Sequence, residues 1–295
     1  MMRRFVCPVI VACAVLAAQT ATAQPSASLL VDSKWLASHL HDADLVLLHV
    51  GDKQEFDEAH IPGAQFIALQ ELSAPNGKLR LELPPVERLQ QVLESHGISN
   101  TSRIVVYPGK DWYSPATRII WTLTYIGVGD RTSLLEGGMP AWRQAGHATT
   151  AEEKTPALGH LTPHLHPDVR ADAAYVLARL NRPNVALLDV RSAAAYAETE
   201  QTPFPRVGHI PGAQSLPLEA LFDDGGNLKN RAAIGALFAQ AGVKPGSEIV
   251  SYCYVGQRAT LVWFAARLLG YEAAMYDGSW EEWSQRSDLP VDTKK

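Results

Sequence analysis

The chain repeats itself once, and no other feature restricts its fold as strongly. Leu47-Leu48-His49-Val50 leads to His60-Ile61-Pro62-Gly63-Ala64-Gln65, and Leu187-Leu188-Asp189-Val190 leads to His209-Ile210-Pro211-Gly212-Ala213-Gln214. Gly97 stands ten residues before Tyr107, at the end of Ile104-Val105-Val106-Tyr107; Gly242 stands ten before Tyr252, at the end of Ile249-Val250-Ser251-Tyr252. Glu136-Gly137-Gly138 with Trp142 matches Asp277-Gly278-Ser279 with Trp283. Three blocks in one order mean a duplicated domain, and 295 residues is about twice an ordinary domain. Between Gly146 and Asp168 lie Glu152, Glu153, Lys154 and scattered prolines with no apolar period, which is linker composition. The reading is a first domain over 24–150, a linker over 151–164 and a second domain over 165–290.

Each copy alternates strand and helix. Leu45–Val50 and Val185–Val190 are short apolar runs, continuous but for His49 and Asp189, as expected of strands buried on both faces. Ile104–Tyr107 and Ile249–Tyr252 read the same way. Asp32 or Ser33 can cap a helix over Trp35–Leu40, and Asp172 one over Ala173–Leu180. Val86–Ser95 and Ala232–Gln240 have helical periodicity, each stopped by a glycine suited to a left-handed C-cap. The class is α/β, with two parallel sheets flanked by helices.

Chemistry concentrates in the second copy. Cys253 directly follows the strand ending at Tyr252; Tyr254, Val255, Gly256, Gln257 and Arg258 come next, and a helical pattern then runs from Ala259 through Trp263 to Leu269. The thiol therefore stands at the carboxyl end of a parallel strand, where open α/β sheets bind ligands. It also meets a helix N-terminus, whose unpaired N–H groups and dipole favour an anion. Arg258 adds a full positive charge, and Gly256 lets the backbone turn tightly. Such surroundings turn a cysteine into a thiolate nucleophile that needs no histidine base.

The N-terminus sharpens this. Arg3 and Arg4 precede an apolar run from Phe5 to Ala18, and Ala21-Thr22-Ala23 offers small residues before Gln24. Residues 1–23 are expected to be a cleaved signal peptide, which makes the protein exported or periplasmic. The run is too short for a spanning helix of about 20 residues, and Ile10-Val11-Ala12-Cys13 offers a lipoprotein box as the weaker alternative. Cleavage removes Cys7 and Cys13, leaving Cys253 alone, and takes with it two arginines, moving the net charge from −5 to −7. A single thiol kept in an oxidising compartment cannot pair internally, which favours reactivity over mere burial.

Cys253-Tyr254-Val255-Gly256-Gln257-Arg258-Ala259, the two His-Ile-Pro-Gly-Ala blocks and Tyr276-Asp277-Gly278-Ser279-Trp280 resemble the tandem-domain rhodaneses, the thiosulfate and 3-mercaptopyruvate sulfurtransferases. The resemblance covers both copies. It implies two rhodanese-like domains, with catalysis in the second and scaffold in the first. Ten residues before Trp263 is Cys253, and ten before Trp121 is Asp111, which cannot hold a persulfide. It further implies that Cys253 takes the outer sulfur of thiosulfate, that the amides of Tyr254, Val255, Gly256, Gln257 and Arg258 hold the persulfide, and that Arg258 and Arg191 meet the donor. A thiophilic acceptor, cyanide or a thiol, then removes the sulfur. Mercaptopyruvate-using relatives carry Gly-Ser-Gly after the cysteine and an arginine near Tyr196-Ala197-Glu198; this chain has neither, so thiosulfate leads. Alternatives are mercaptopyruvate sulfur transfer or a persulfide carrier serving a protein partner.

Other classes fit less well. A phosphatase loop needs five residues between Cys and Arg, and here there are four. A noncatalytic binding module would have no need of Cys253. Apolar residues at 46% and charged residues at 19% describe an ordinary globular chain without basic runs, which argues against nucleic acid or a membrane surface. The ten histidines show no zinc-ligand pairing, so no metal or cofactor is expected, and the protein should act as a monomer. His60 and His209 are expected to make structural hydrogen bonds, Asp189 to fix backbone or an arginine, Trp280 and Trp283 to pack, and Arg206 to lie solvated in a loop.

Overall fold

A computed structural model describes residues 28–110 and 112–293. The signal-peptide reading over 1–23 and Asp111 lie outside the described residues. The first repeat contains β1 (Leu30–Val31), α1 (Ser33–His39), β2 (Leu45–Val50), α2 (Lys53–Glu58), β3 (Gln65–Phe66), β4 (Ala74–Asn76), β5 (Leu79–Glu82), α3 (Val86–Ser95), β6 (Arg103–Pro108), α4 (Tyr113–Tyr125), β7 (Thr132–Leu135) and α5 (Gly138–Gln144). The second contains β8 (Arg170–Ala171), α6 (Ala173–Leu177), β9 (Val185–Asp189), α7 (Ala193–Tyr196), β10 (Gln214–Ser215), α8 (Arg231–Gln240), β11 (Glu248–Tyr252), α9 (Ala259–Leu268), β12 (Ala273–Tyr276) and α10 (Ser279–Gln285).

Each repeat builds one five-stranded parallel sheet, in the order β1-β7-β6-β2-β3 and β8-β12-β11-β9-β10. The two orders correspond strand for strand. The antiparallel β4–β5 hairpin of the first repeat is reduced in the second to a single bridge between Phe222 and Leu228. Asp32, Asp172 and Asn230 cap α1, α6 and α8 by accepting from backbone N–H groups one turn ahead. Gly97 and Gly242 follow α3 and α8 at φ 74° and 78°, the left-handed conformation that glycine adopts without a Cβ penalty. α6 is shorter than its apolar pattern suggests, ending at Leu177 rather than Leu180.

The two sheets share one core. α4 and α9 lie against each other, and Ile119, Ile120 and Leu123 join Leu261, Val262 and Phe264 in a continuous apolar cluster. Nine of the ten residues of α9 are buried, as for a helix with partners all round. The segment after α5 carries no helix or strand, yet it is fixed along the first domain. Gly159 N–H donates to Glu94 O at 2.8 Å, and Leu161 N–H to the Glu94 carboxylate at 2.9 Å.

His49 in β2 is 1% exposed, and neither ring nitrogen has a partner. Burial first, then the nearby His60 and Arg143, pushes its pKa from 6.5 down to about 4. Between those values the unfolded chain binds the proton and the folded protein does not. His49 therefore favours folding fully above about pH 6.5, and that contribution is lost as pH falls toward 4, roughly 3 kcal/mol in all. Urea unfolding from pH 7.5 to 4.5 should show this slope, and His49→Leu should flatten it. An unchanged slope in the variant would assign the acid sensitivity elsewhere.

Candidate active site

Cys253 is 1% exposed and follows β11 directly. Its N–H donates to Ser279 Oγ at 3.1 Å, and its carbonyl accepts from Trp280 N–H at 3.0 Å. Ser279 Oγ donates in turn to Tyr276 O at 2.8 Å. Ser279 holds φ 51°, a region that non-glycine residues rarely enter and that tends to be kept near functional sites. The first repeat has Gly138 here, at φ 54°. A side chain at this strained position in the second copy was the sequence signal for a residue bracing Cys253, and the sequence reading passed over it.

After Cys253 the chain loops into α9. The backbone N–H groups of Tyr254, Val255, Gly256, Gln257 and Arg258 donate no hydrogen bond among the described residues. Unpaired amides next to a helix N-terminus are the groups to which an anion binds in other proteins. Gly256 takes φ +79°, and a Cβ there would sit 2.4 Å from Asp277 O. Only glycine allows the loop to close against that carbonyl. Tyr254 folds back across the site, its hydroxyl within 3.2 Å of Ser192 Oγ and of both Glu200 oxygens, and its ring stacked 6.0 Å from Phe204.

The two expected donor-binding arginines are placed differently from one another. Arg258 leaves the loop to meet Glu219 at 3.1 Å, with side chains 40% and 62% exposed. An exposed pair of this kind is worth at most about 1 kcal/mol, so Arg258 is free to change partner. Arg191 is buried beneath the loop, holding both oxygens of Asp189 at 2.6–3.1 Å and Gly208 O at 2.8 Å, over the Trp280 ring at 4.4 Å. Asp189 also takes the Tyr252 hydroxyl at 2.7 Å. Arg191 thus brings structure and a neutralised charge to the floor of the site.

Other side chains depart from expectation. Arg206, read as a solvated loop residue, is partly buried and donates to the carbonyls of Trp283, Ser284, Arg286 and Leu289. It satisfies the unpaired carbonyls around the end of α10, a use no linear motif signals. His60 bonds Phe56 O at 2.7 Å and Glu152 O at 3.2 Å, as expected of a structural histidine. His209 instead stacks on Tyr196 at 4.2 Å and leaves Nδ1 unpartnered. Trp280 and Trp283 are fully buried.

The counterpart of Cys253 in the first repeat is Pro108 rather than Asp111. His49 pairs with Tyr107 in the first sheet and Asp189 with Tyr252 in the second, so the residue after each tyrosine is equivalent. Counting back from the tryptophans misled because the first copy's loop is three residues longer: 13 residues lie between Tyr107 and Trp121, and 10 between Tyr252 and Trp263.

The family profile described as Rhodanese-like domain matches residues 32–145 and 172–286. A thiosulfate sulfurtransferase of Azotobacter vinelandii is 32% identical over 90% of this chain and 98% of its own length. A protein of Pseudomonas aeruginosa named "Probable 3-mercaptopyruvate sulfurtransferase" is 33% identical over 91% and 99%. The sulfur carrier protein TtuD of Thermus thermophilus is 31% identical over 89% and 95%. Among solved structures, the anaerobic ergothioneine biosynthesis enzyme from Chlorobium limicola superposes with a TM-score of 0.78 over 90% of this chain and 70% of that one, at 24% identity. That likeness speaks to fold alone.

Proposed function

Since this chain belongs to the rhodanese family in tandem-domain form, we propose that it transfers sulfane sulfur from thiosulfate to a thiophilic acceptor through a persulfide on Cys253. The thiolate of Cys253 attacks the outer sulfur of thiosulfate. A new S–S bond forms, the old one breaks toward the sulfonate sulfur, and sulfite leaves with the electron pair. Cyanide or a thiol then attacks the outer persulfide sulfur and regenerates the thiolate. No proton transfer is needed in the first half, so that step requires no histidine base.

The observation that carries this reading is the run of backbone amides from Tyr254 to Arg258, directly after Cys253, that have no protein acceptor among the described residues. It offers hydrogen bonds to a terminal sulfur anion, worth more here than in water because Cys253 is 1% exposed. Arg258 is the cation available to the anionic donor once it exchanges Glu219 for it. The Tyr254–Val255 pair in the loop favours thiosulfate over mercaptopyruvate, and the family likeness to TtuD keeps a protein acceptor as the alternative destination. Export to the periplasm is proposed on residues 1–23, and action as a monomer on the completeness of the site within one chain.

Mass spectrometry of the purified protein after thiosulfate tests the reading. One added sulfur, about 32 Da, is expected, and it should disappear on adding cyanide. Turnover with thiosulfate should exceed that with 3-mercaptopyruvate. The reverse order would reassign the donor, and an unlabelled protein would remove the persulfide.

A further inference from the structure

The sulfur loop belongs to the second domain, but one of its peptide planes is gripped from the first. We propose that Arg118, in α4, is a positioning residue for sulfur transfer: it holds the Gly256–Gln257 peptide so that the Gln257 N–H stays turned toward the sulfur. This rests on the persulfide reading above.

Arg118 is completely buried. Its Nη1 donates to Gly256 O at 3.1 Å and to Asp277 Oδ1 at 2.6 Å, and its Nη2 donates to Leu81 O at 3.1 Å. The guanidinium also lies 4.4 Å from the Trp121 ring. So many contacts leave it one orientation. In a trans peptide the C=O and the following N–H point in opposite directions. Drawing the Gly256 carbonyl toward the domain interface turns the Gln257 N–H away from Arg118, and among the described residues no protein acceptor meets it.

The grip matters because of where it falls. Without a Cβ, Gly256 leaves its ψ freer than any other residue would, so the Gly256–Gln257 plane, which turns about that ψ and the φ of Gln257, is less constrained than a plane between bulkier residues. A rotated Gly256–Gln257 plane would present a carbonyl oxygen to an anionic sulfur in place of an N–H. A charged donor on the carbonyl blocks that rotation and also polarises the peptide, which strengthens its N–H as a donor.

The duplication makes the asymmetry visible. Counted from Trp121 and Trp263, the residue matching Arg118 in the second copy is Thr260. Thr260 Oγ1 donates to Gln257 O at 2.6 Å and lies 2.9 Å from Thr117 Oγ1. Gln257 Nε2 donates to Ser114 Oγ at 3.2 Å. The copy that lacks a thiol supplies the arginine, and the copy that holds the thiol receives it.

A purely structural strut would behave differently. Arg170 serves as the comparison: it also binds Asp277, at 3.0 Å, and Glu82, at 3.1 Å, without touching the loop. Arg118→Met, Arg118→Lys and Arg170→Met are compared with the full-length parent by thermal midpoint and by single-turnover persulfide formation at saturating thiosulfate. Arg118→Met should slow persulfide formation about ten-fold or more while the half-saturating thiosulfate concentration changes less, given that losing one anion-site donor costs about a hundred-fold or more. Arg118→Lys, which reaches one acceptor at a time, should recover part of the rate. Arg170→Met should lower the midpoint yet keep the rate within about twofold. If Arg118→Met does not fold, a parental rate in Arg118→Lys overturns the proposal. Equal slowing by Arg118→Met and Arg170→Met overturns it as well. A parent that takes up no sulfur sinks the persulfide reading and this proposal together; a parent that loads normally beside unaffected Arg118 variants sinks this proposal alone.

Discussion

A Cys253→Ser protein is expected to take up no sulfur from thiosulfate and to turn over at least about a thousand-fold more slowly than the parent, with its thermal midpoint little changed. The chemical reason is that a serine hydroxyl is not ionised near neutral pH and an oxygen–sulfur bond does not stand in for a persulfide. The structural reason for an intact fold is that the bonds holding residue 253 run through its backbone: its N–H to Ser279 Oγ and its carbonyl from Trp280 N–H. Neither involves the sulfur. Exchanging one buried atom for a slightly smaller one leaves both. Intact-protein mass and sulfite release on the same sample check the result. Residual activity above that level would require another nucleophile, and Cys253 is the free cysteine among the described residues.

The second large effect is on the fold. Asp277 is 1% exposed and receives Arg118 on one oxygen at 2.6 Å and Arg170 on the other at 3.0 Å. Leu83 N–H adds a bond at 3.4 Å. Asp277→Ala strips Arg118, itself fully buried, of the carboxylate it is bonded to, and it also removes one of the two carboxylates on Arg170. Stripping one partner from a buried ion pair costs about 3–5 kcal/mol because the remaining charge stays desolvated. Domain stabilities lie at about 5–15 kcal/mol, so the loss is a large share of the total. Chemical denaturation should show a lowered midpoint of that size, and activity should fall with it, since Arg118 loses the group that orients it beside Gly256. A drop under about 1 kcal/mol would mean that the network is not holding the interface.

The neighbouring Glu82 shows how crowded this interface is. Burial, followed by the nearby Asp277, pushes its pKa up to about 7, against the pull of Arg170 and Arg118. Four chain segments far apart in sequence contribute these charges: β5, α4, β8 and the end of β12.

Much of the architecture was readable from local pattern. The paired His-Ile-Pro-Gly-Ala turns, the four apolar strands and the glycines at 97 and 242 each carry their structure in a few consecutive residues, so the strand order of one copy predicts that of the other. The same holds for the sulfur loop, whose strand, glycine and helix are contiguous. Where counting had to cross a loop of unequal length, it slipped from Pro108 to Asp111. Where a side chain acts through distant backbone, as Arg206 does at the end of α10, no periodicity or motif marked it.

The amino-acid order alone determined that there are two α/β halves, that the second carries one thiol between a strand and a helix, and that glycine must follow close behind it. Tertiary structure decided what surrounds that thiol: Arg191 bound to Asp189 below, Ser279 behind, and Arg118 reaching across from the other half. Local sequence sets dihedral preferences and the exposure pattern of each element. The partner of a buried charge, by contrast, is fixed only when packing has removed water and left one carbonyl or carboxylate within reach.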